Sequence, residues 1–339
     1  YKNILNPLHK SRELPSFITK NLDVFKIEKG TWEIKEDLVI DGDLEIMPGT
    51  ILKIHDDVSI IVNGSIKSIG TLKDKIIFKS FKKNSNWNGL YVKNGDKLSE
   101  VSYTQFYNTV GIKEGIMNLT GSVVFYRSNV VLKNVLFSEN EAEDALNIIE
   151  SKYKLIDIIF EESISDAFDS DYSDGYIENI KLSNIGGDGL DFSGGNVKIK
   201  EIEANNIFDK AISAGEGTNL SIKDVFFTNV GVGIASKDGS KVTARNCLTQ
   251  NPTISSYMTY IKKSNYSYPS LILENCKTIL DGEKKYSESQ LENIYFVRQL
   301  NTNLINNGKE IQEKIIDVDN LYSSTVMKKN KIQGKCNAI

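Results

Sequence analysis

Aspartates recur in pairs at a fixed interval in the middle of this chain, and carboxylates arranged in this way can bind a cation or transfer protons. The pattern Asp-x-x-Asp begins at Asp166 and begins again at Asp188. Asp171 follows the first pair, and Lys210 stands one further interval after Asp188, where the next aspartate would fall. Stacked on neighbouring strands, these side chains would offer hard oxygen ligands to Ca²⁺ and a lysine as a base.

The pattern assigns three kinds of candidate site residue. The candidate metal ligands are Asp166, Asp169, Asp171, Asp188 and Asp191. The candidate catalytic residues are Asp169, Asp191 and Lys210, and the candidate substrate-binding residues are Asp144, Asn147 and Ser213. A structural interpretation stands beside this one, because an aspartate before Ala or Gly often caps a turn and a lysine beside carboxylates often only pairs with them.

Charge is concentrated around these residues. The whole chain has a formal net charge of −4, but residues 139–191 hold fifteen acidic and three basic residues, which leaves +8 for the remainder. Such an acidic surface is a poor partner for nucleic acid. Carboxylates one strand apart repel by on the order of 1 kcal/mol in a water-like dielectric, so we expect Ca²⁺ or Lys210 to compensate. Cys and His metal chemistry is excluded there, since the two histidines are His9 and His55.

An internal repeat positions these residues. Five four-residue segments begin at the evenly spaced positions 144, 166, 188, 210 and 232, and a repeat of this length predicts a solenoid. The predicted inward column is Leu146, Phe168, Leu190, Ile212 and Ile234. The column predicted to point outward beside it is Asn147, Asp169, Asp191, Ser213 and Ala235. Equivalent residues would then lie about 4.8 Å apart on adjacent parallel strands.

A second strand in each copy identifies the kind of solenoid. Segments such as Ile177–Ile180 and Ile222–Val225 alternate apolar and polar residues, which is typical of β-strands. Neither a helical convex segment nor the strand pattern of a leucine-rich repeat is visible. We therefore predict an all-β fold, a single-stranded right-handed parallel β-helix of roughly ten to eleven coils with about 22 residues in each coil. The predicted divisions are an extended lead-in over 1–25, the β-helix over 26–280 and a capping segment over 281–339.

Composition fits a folded protein with a sizeable core. Hydrophobic residues make up 40% of the 339 residues, and there are only five prolines. No run of 18 apolar residues occurs, so the sequence predicts no membrane span.

Cys247 and Cys276 hold equivalent positions in successive coils. Buried free thiols are favoured over a disulfide there, because in-register parallel neighbours give awkward geometry for a disulfide. Cys336 lies near the end of the chain.

Several motifs carry a resemblance to a known group of proteins. These are residues 119–128, 143–147, 165–171, 186–194, 209–213 and 236–240. Across roughly residues 30–250 the chain resembles bacterial right-handed β-helix proteins that accompany, or are fused to, CotH-like spore-coat kinase domains. The resemblance implies the fold and a CotH-like kinase domain as a partner, with this chain as the β-helix part of a longer protein. No phosphate-cradling glycine loop followed by lysine is present, so nothing here resembles the kinase itself.

The expected fold is also similar to that of polysaccharide lyases, polygalacturonases and alginate epimerases. The His-Gly pair with Arg-x-Lys of polygalacturonases and the His between acids of epimerases are both missing. What remains similar to Ca²⁺-dependent pectate lyases is an acidic cluster with a lysine beside it. That resemblance implies that Ca²⁺ neutralises a uronate carboxylate while Lys210 removes the C5 proton, although nearby carboxylates would favour charged Lys210 and weaken it as a base. Asp169 and Asp191, about 5 Å apart, would alternatively suit a retaining glycosidase.

The sequence leaves three classes of function open. The first is an enzyme acting on an acidic polysaccharide, either a polysaccharide lyase or a glycosidase. The second is a module that binds a polysaccharide or cell-surface glycan without turnover, and the third is a structural or partner-binding domain of a cell-surface or CotH-kinase-associated assembly. We rank carbohydrate binding or processing first, because solenoid faces form long grooves suited to linear polymers. The expected location is secreted, periplasmic or cell-surface.

Overall fold

The computed structural model is a parallel β-solenoid of about ten coils, and it describes residues 14–114, 117–280, 296–299 and 301–311. Within those ranges all regular structure is β-strand, as predicted, and none of it is a helix that could span a membrane. The N-terminal strands are β1 (Ile18–Asn21), β2 (Val24–Ile27), β3 (Thr31–Ile34), β4 (Leu38–Ile40), β5 (Asp43–Ile46), β6 (Ile51–Ile54), β7 (Ser59–Val62), β8 (Ile66–Ile69), β9 (Ile76–Ser80) and β10 (Gly89–Lys93).

Several of the remaining strands are longer, because they continue around a corner of the coil. The central ones are β11 (Ser99–Thr109), β12 (Lys113–Glu114), β13 (Met117–Asn118), β14 (Gly121–Tyr126), β15 (Val130–Asn140), β16 (Asp144–Ile149), β17 (Lys152–Ser163), β18 (Asp166–Asp171), β19 (Asp174–Ile185) and β20 (Leu190–Ser193). The C-terminal ones are β21 (Asn196–Gly215), β22 (Asn219–Lys237), β23 (Lys241–Gln250), β24 (Ser255–Tyr260), β25 (Ser270–Ile279), β26 (Phe296–Arg298), β27 (Asn303–Asn306) and β28 (Lys309–Glu310).

Each central coil has three sides, which we name by their residues. Face A contains residues 144–149, 166–171, 188–193, 210–215 and 232–237. Face B contains residues 152–156, 174–178, 196–200, 219–223 and 241–245. Face C contains residues 158–161, 180–183, 202–205, 225–228 and 247–250. Every strand on these faces pairs in parallel with the equivalent strand one coil away, so the repeat of the sequence becomes columns of neighbours.

The corner between faces B and C is set by residues with left-handed backbone angles. Asp157, Asn179, Asp224 and Asn246 have φ values of 54°, 55°, 58° and 54°. Asn and Asp tolerate this conformation better than other residues with a side chain. Their side chains also bond along the corner, since Asn179 Nδ2 donates to Asp157 Oδ1 at 2.6 Å and Asn246 Nδ2 donates to Asp224 Oδ1 at 2.7 Å. The corner therefore repeats in register from coil to coil.

The predicted inward column forms the centre of the core. Leu146, Phe168, Leu190, Ile212 and Ile234 are successive register partners, and each is fully buried. Phenylalanines form a second stack along face C and the coils before it, with ring centroids 4.8–5.3 Å apart from Phe78 through Phe106 and Phe137 to Phe160. This continuous apolar interior fixes which residues of face A point outward.

The outward surface of face A carries apolar residues in the coils before and after those that hold Asp166, Asp169, Asp188 and Asp191. In the coils before them, Val39, Ile61, Tyr91 and Val124 occupy the same outward column as Asn147. Ile112 packs onto this column and is fully buried. In the coils after them, the outward apolar cluster contains Val232, Ala235, Met258, Tyr260 and Val297. The aspartates therefore lie between two apolar segments of one face.

The two cysteines of successive coils differ from the sequence expectation. Cys247 lies on face C, and Cys276 lies in β25, the strand that pairs with it in the next coil. The two residues are direct register partners with Cα atoms 4.3 Å apart, and they form a disulfide. The expectation of two free thiols is wrong, because the shared register brings both sulfur atoms to one point of the interior. Cys336 lies outside the described residues.

Strands of the same sheet lie on both sides of each predicted boundary, so the predicted divisions stay predictions. β1 pairs antiparallel with β2, and β2 begins the parallel stacking by pairing with β5, so the described part of the predicted lead-in already belongs to the sheet. Beyond 280, β26 pairs with β24 and β27 pairs with β25, both in parallel. The described part of the predicted capping segment therefore adds strands to the solenoid, and the rest of that segment lies outside the described residues.

Candidate functional site

Three outward columns of face A bring the predicted site residues together. Asp144 and Asp166 are register partners in the first column. Asp188 and Lys210 continue this column, because each donates a hydrogen bond from its main-chain N to the aspartate one coil before it. Asp188 N donates to Asp166 Oδ1 at 2.7 Å, and Lys210 N donates to Asp188 Oδ1 at 2.9 Å. The second column is Asn147, Asp169, Asp191, Ser213 and Ala235. The third column contains Ile149, Asp171, Ser193, Gly215 and Lys237. The predicted candidates thus form one cluster, which we call the acidic cluster.

Exposure divides the cluster into two groups. The aspartates that solvent reaches are Asp166, Asp169, Asp171 and Asp191, all of them half-buried. The buried candidates are Asp144, Asn147, Asp188, Lys210 and Ser213. Ser213 and Asn147 are only 0% and 1% exposed, so a polymer on this surface would touch the first group directly. The substrate-binding roles of Asp144, Asn147 and Ser213 stay predictions.

Lys210 is held by two carboxylates. Its Nζ donates to Asp188 Oδ1 at 2.8 Å and lies 2.8 Å from Asp209 Oδ2, and all three side chains are less than a tenth exposed. Two anions at this distance favour the ammonium form, which cannot accept a proton. The geometry therefore matches the ion-pair interpretation of Lys210, and its role as a base stays a prediction.

A second buried lysine joins the cluster from the next coil. Lys237 Nζ lies 3.6 Å from Asp191 Oδ1, and the Lys237 side chain is only 8% exposed. Lys237 was absent from the sequence predictions, although it stands three repeats after Asp171 in the third outward column. Asp209 was also missed as a partner, and its position directly before Lys210 was the available signal.

The aspartates of the cluster have strongly displaced pKa values. Burial raises the pKa of Asp144 to about 7, and it raises the pKa of Asp188 to about 6 although Lys210 opposes the shift. Burial and the charge of Asp188 raise the pKa of Asp166 well above its usual value. Burial, followed by the charges of Asp171 and Asp144, does the same to the pKa of Asp169. Without a further cation, burial and mutual repulsion therefore favour the protonated forms of these carboxyl groups.

Asp191 is the exception. Burial acts to raise its pKa, but Lys237 and Lys210 outweigh this effect and hold the pKa below the usual value. Asp191 and Asp169 are register partners on adjacent coils. Two neighbouring carboxyl groups with oppositely shifted pKa values provide one proton donor and one carboxylate, which is the arrangement used for acid–base chemistry.

Three carboxylates of the cluster converge closely enough to share a cation. Asp166, Asp188 and Asp191 each place an oxygen within 4.8 Å of the others. Among the described residues, Asp144 Oδ2, Asn147 Oδ1 and Asp169 Oδ1 are buried oxygens that accept no hydrogen bond. Carboxylate and amide oxygens are the donors that Ca²⁺ prefers. The donor set therefore fits a hard cation.

Comparisons with known proteins identify no family. No family model matches the sequence, and no curated protein is similar to it. The solved structures that resemble it include an alginate lyase from Paenibacillus sp. FPU-7 (TM-score 0.41, 11% identity, covering 77% of this chain and 88% of that one). Another is the periplasmic alginate epimerase AlgG (TM-score 0.40, 11% identity, 87% and 81% covered).

A third solved structure is the catalytic unit of a GH87 α-1,3-glucanase from Streptomyces thermodiastaticus (TM-score 0.36, 10% identity, 77% of this chain and 63% of that one covered). At these TM-scores and identities the similarity establishes neither an activity nor a substrate for this chain. The class that the described structure itself defines is a parallel β-solenoid with an acidic cluster on one outward face.

Proposed function

We propose that this chain is an extracytoplasmic β-helix that processes an acidic polysaccharide on face A, with the acidic cluster as its active site. The observation that carries the proposal is the pair Asp169 and Asp191. These residues are register partners, both are reached by solvent, and their environments displace their pKa values in opposite directions. Asp169 would hold the proton that the leaving oxygen receives, and Asp191 would act as the carboxylate partner.

The shape of face A supports a linear polymer as the substrate. The acidic cluster spans at least four coils, from Asp144 to Lys210, at about 4.8 Å per coil. Apolar clusters flank it along the solenoid axis, around Val124 on one side and Met258 on the other. Sugar rings present apolar faces as well as hydroxyl groups, so a glycan chain lying along the axis would contact both kinds of surface.

Ca²⁺ is the cofactor we propose for this face. Asp166, Asp188 and Asp191 would hold the ion, and Asn147 offers a further oxygen beside them, which leaves Asp169 to carry the proton. When bound, Ca²⁺ would neutralise the cluster and supply a binding point for a uronate carboxylate. An acidic polysaccharide is therefore the substrate class that this face favours.

The disulfide supports the proposed location. Disulfides persist in oxidising surroundings such as the periplasm and the cell exterior, and they are rare in the cytosol. Cys247 and Cys276 form one in the solenoid interior. A secreted, periplasmic or cell-surface protein would also be where extracellular polysaccharides occur.

The test is incubation of the protein with polygalacturonate, alginate and a neutral glucan, with EDTA or with added Ca²⁺. We expect new reducing ends from an acidic polymer. Ultraviolet absorbance by an unsaturated uronate would identify β-elimination, and reducing ends without it would identify hydrolysis. Asp169→Asn and Asp191→Asn should each lower the rate by about 10²–10⁴-fold. Asp224→Asn makes the same change at a corner outside the cluster and should leave the rate unaltered.

Two outcomes would contradict the proposal. The first is an absence of turnover on any polymer while Ca²⁺ leaves the melting temperature unchanged. The second is a rate that survives both substitutions in the acidic cluster.

A second candidate function is non-catalytic. The observation that favours it is that Lys210 and Lys237 already pair with aspartates of the cluster, so the acidic face could be a static network in a binding or structural domain. In that case a cell-surface assembly, including one with a CotH-like kinase domain, would supply the partner. Glycan binding without turnover that survives Lys210→Ala would favour a binding module. Co-purification with a CotH-like kinase domain would favour the assembly.

A further inference from the structure

Face B carries a groove whose charge is opposite to that of the acidic cluster. The groove has a volume of about 620 Å³ and crosses five coils, from Lys152 to Thr243. Its outward lining consists of two columns, residues 152, 174, 196, 219 and 241 and residues 176, 198, 221 and 243. Lys154 precedes Tyr176 in the second column and lies just outside the lining. Five coils span about 19 Å between the first and the last, so the groove is elongated along the solenoid axis.

Three lysines line this groove with their side chains exposed, namely Lys152, Lys198 and Lys241. Asp174 is the one acidic residue of the lining, so the lining has a net charge of +2. A fourth exposed lysine, Lys154, lies beside the groove with its Nζ over the ring of Tyr176. None of the four forms an ion pair with another residue of the part of the chain that the structure describes, whereas Lys200 just outside the groove pairs with Glu178 at 2.8 Å. The groove lysines are therefore available to an anionic ligand.

Asp174, the single acidic residue of the lining, already accepts hydrogen bonds from protein groups. Asp174 Oδ1 accepts hydrogen bonds from Asn196 N at 2.8 Å and from Asn196 Nδ2 at 3.0 Å. Asn196 Oδ1 in turn accepts a bond from Asn219 Nδ2 at 3.1 Å. This row of short polar side chains forms the floor of the groove, and its amide groups can bond to sugar hydroxyls.

One aromatic ring lies between the lysines. Tyr176 is the register partner of both Lys154 and Lys198, and Lys154 Nζ lies 5.4 Å from the centre of its ring. Its hydroxyl donates to Glu178 Oε2 at 2.9 Å, which fixes the ring in place. A fixed, half-buried ring between cations offers a stacking surface for the apolar side of a pyranose.

We infer that the face B groove is a separate binding site for a linear anionic polysaccharide, with carboxylate or sulfate groups on Lys152, Lys154, Lys198 and Lys241 and a sugar ring on Tyr176. Spacing supports a polymer, because the cations recur along the axis at multiples of the coil spacing of about 4.8 Å. The inference shares with the proposed function only the class of polymer. Binding at face B requires neither Ca²⁺ nor the acidic cluster.

The test measures binding of fluorescently labelled oligomers of alginate and polygalacturonate, with a neutral dextran oligomer and a single-stranded DNA oligonucleotide as comparison probes. All measurements use EDTA so that face A takes no metal. We expect the anionic glycans to bind, the neutral glycan to bind at least tenfold more weakly, and affinity to fall with salt. Lys154→Gln with Lys198→Gln should weaken binding at least tenfold. Tyr176→Ala should weaken it, while Tyr176→Phe should largely retain it.

The matched control is Lys181→Gln with Lys277→Gln, which removes the same charge from exposed lysines on face C and its continuation. An equal loss of affinity in the control would show that only net charge matters, and would overturn the site. DNA binding as tight as glycan binding would overturn the assignment to a polysaccharide. Asp169→Asn should lower the rate of turnover by about 10²–10⁴-fold but leave this binding intact, so the failure of either proposal can be recognised separately.

Discussion

Asp169 and Asp191 are register partners on adjacent coils, and the protein shifts their pKa values in opposite directions. The difference between the two pKa values arises from the third outward column, which contains Lys237 and Asp171. Lys237 Nζ lies 3.6 Å from Asp191 Oδ1, whereas burial and the charge of neighbouring Asp171 raise the pKa of Asp169. The same position of the repeat therefore carries chemically different carboxyl groups in two adjacent coils.

The first prediction concerns the stability of amide substitutions at these two positions. Asp169→Asn removes a half-buried carboxyl group whose charged form is disfavoured by burial and by the charges of Asp171 and Asp144, so we expect the free energy of unfolding at pH 7.5 to rise by about 1 kcal/mol. Asp191→Asn leaves Lys237 with less compensation, so we expect a fall of about 1–3 kcal/mol. Chemical denaturation in EDTA measures both. Two shifts of the same sign would show that Lys237 does not distinguish the two carboxyl groups.

The architecture was predictable because its cause is periodic. Leu146, Phe168 and Leu190 recur at equal intervals, and the structure places them in one buried column as expected. The same spacing brought Asp166, Asp169, Asp188 and Asp191 into one cluster. Residues that share a repeat position become neighbours whatever the details of the turns, so periodicity alone determined these contacts.

The environment of each site residue was less predictable, because it depends on neighbours in other columns. Lys237 pairs with Asp191 across columns, and a search along single columns does not find it. Burial of Asn147 and Ser213 depends on the surroundings of the whole face rather than on the repeat. The disulfide was missed because the awkward geometry expected of parallel neighbours was given more weight than the register that places Cys247 beside Cys276.

The second prediction concerns pH and follows from the raised pKa values. Asp144 and Asp188 titrate with pKa values of about 7 and about 6 in the folded protein, so between pH 4 and pH 7 the folded state binds more protons than the unfolded state. The free energy of unfolding therefore falls as pH rises through this range. Without metal, we expect the melting temperature to be at least about 5 °C higher at pH 5 than at pH 7.5.

Ca²⁺ should oppose this trend if it binds the acidic cluster. Binding requires deprotonated carboxylates, so Ca²⁺ should raise the melting temperature more at pH 7.5 than at pH 5 and should release protons in a weakly buffered titration. Asp144→Asn with Asp166→Asn should flatten the pH dependence. A melting temperature that rises with pH in EDTA would contradict the assignment of the raised pKa values.

The third prediction tests the inward column. Leu190 is fully buried between Phe168 and Ile212, so Leu190→Ala should lower the free energy of unfolding by about 2–5 kcal/mol. Ile159 on face C is 40% exposed, and Ile159→Ala should change it by less than about 1 kcal/mol. Thermal and urea unfolding measure both. Equal effects would mean that the column does not form the centre of the core.

The fourth prediction separates the structural role of Lys210 from a catalytic one. Lys210→Met removes the cation between Asp188 and Asp209 and should lower the free energy of unfolding by about 3–5 kcal/mol, because two buried carboxylates lose their partner. Lys200→Met, which breaks an exposed pair with Glu178, should lower the free energy of unfolding far less, because solvent screens that pair.

A double variant distinguishes an ion-pair role of Lys210 from a catalytic role. Adding Asp209→Asn to Lys210→Met removes one of the two uncompensated charges and leaves the proposed Ca²⁺ ligands intact, so part of the lost stability should return. If Lys210 acts only as an ion-pair partner, turnover of the acidic polymer should recover together with stability in the double variant. A variant that regains stability but shows no turnover at any pH would instead assign Lys210 to the proton transfer, with Asp188 holding it in position.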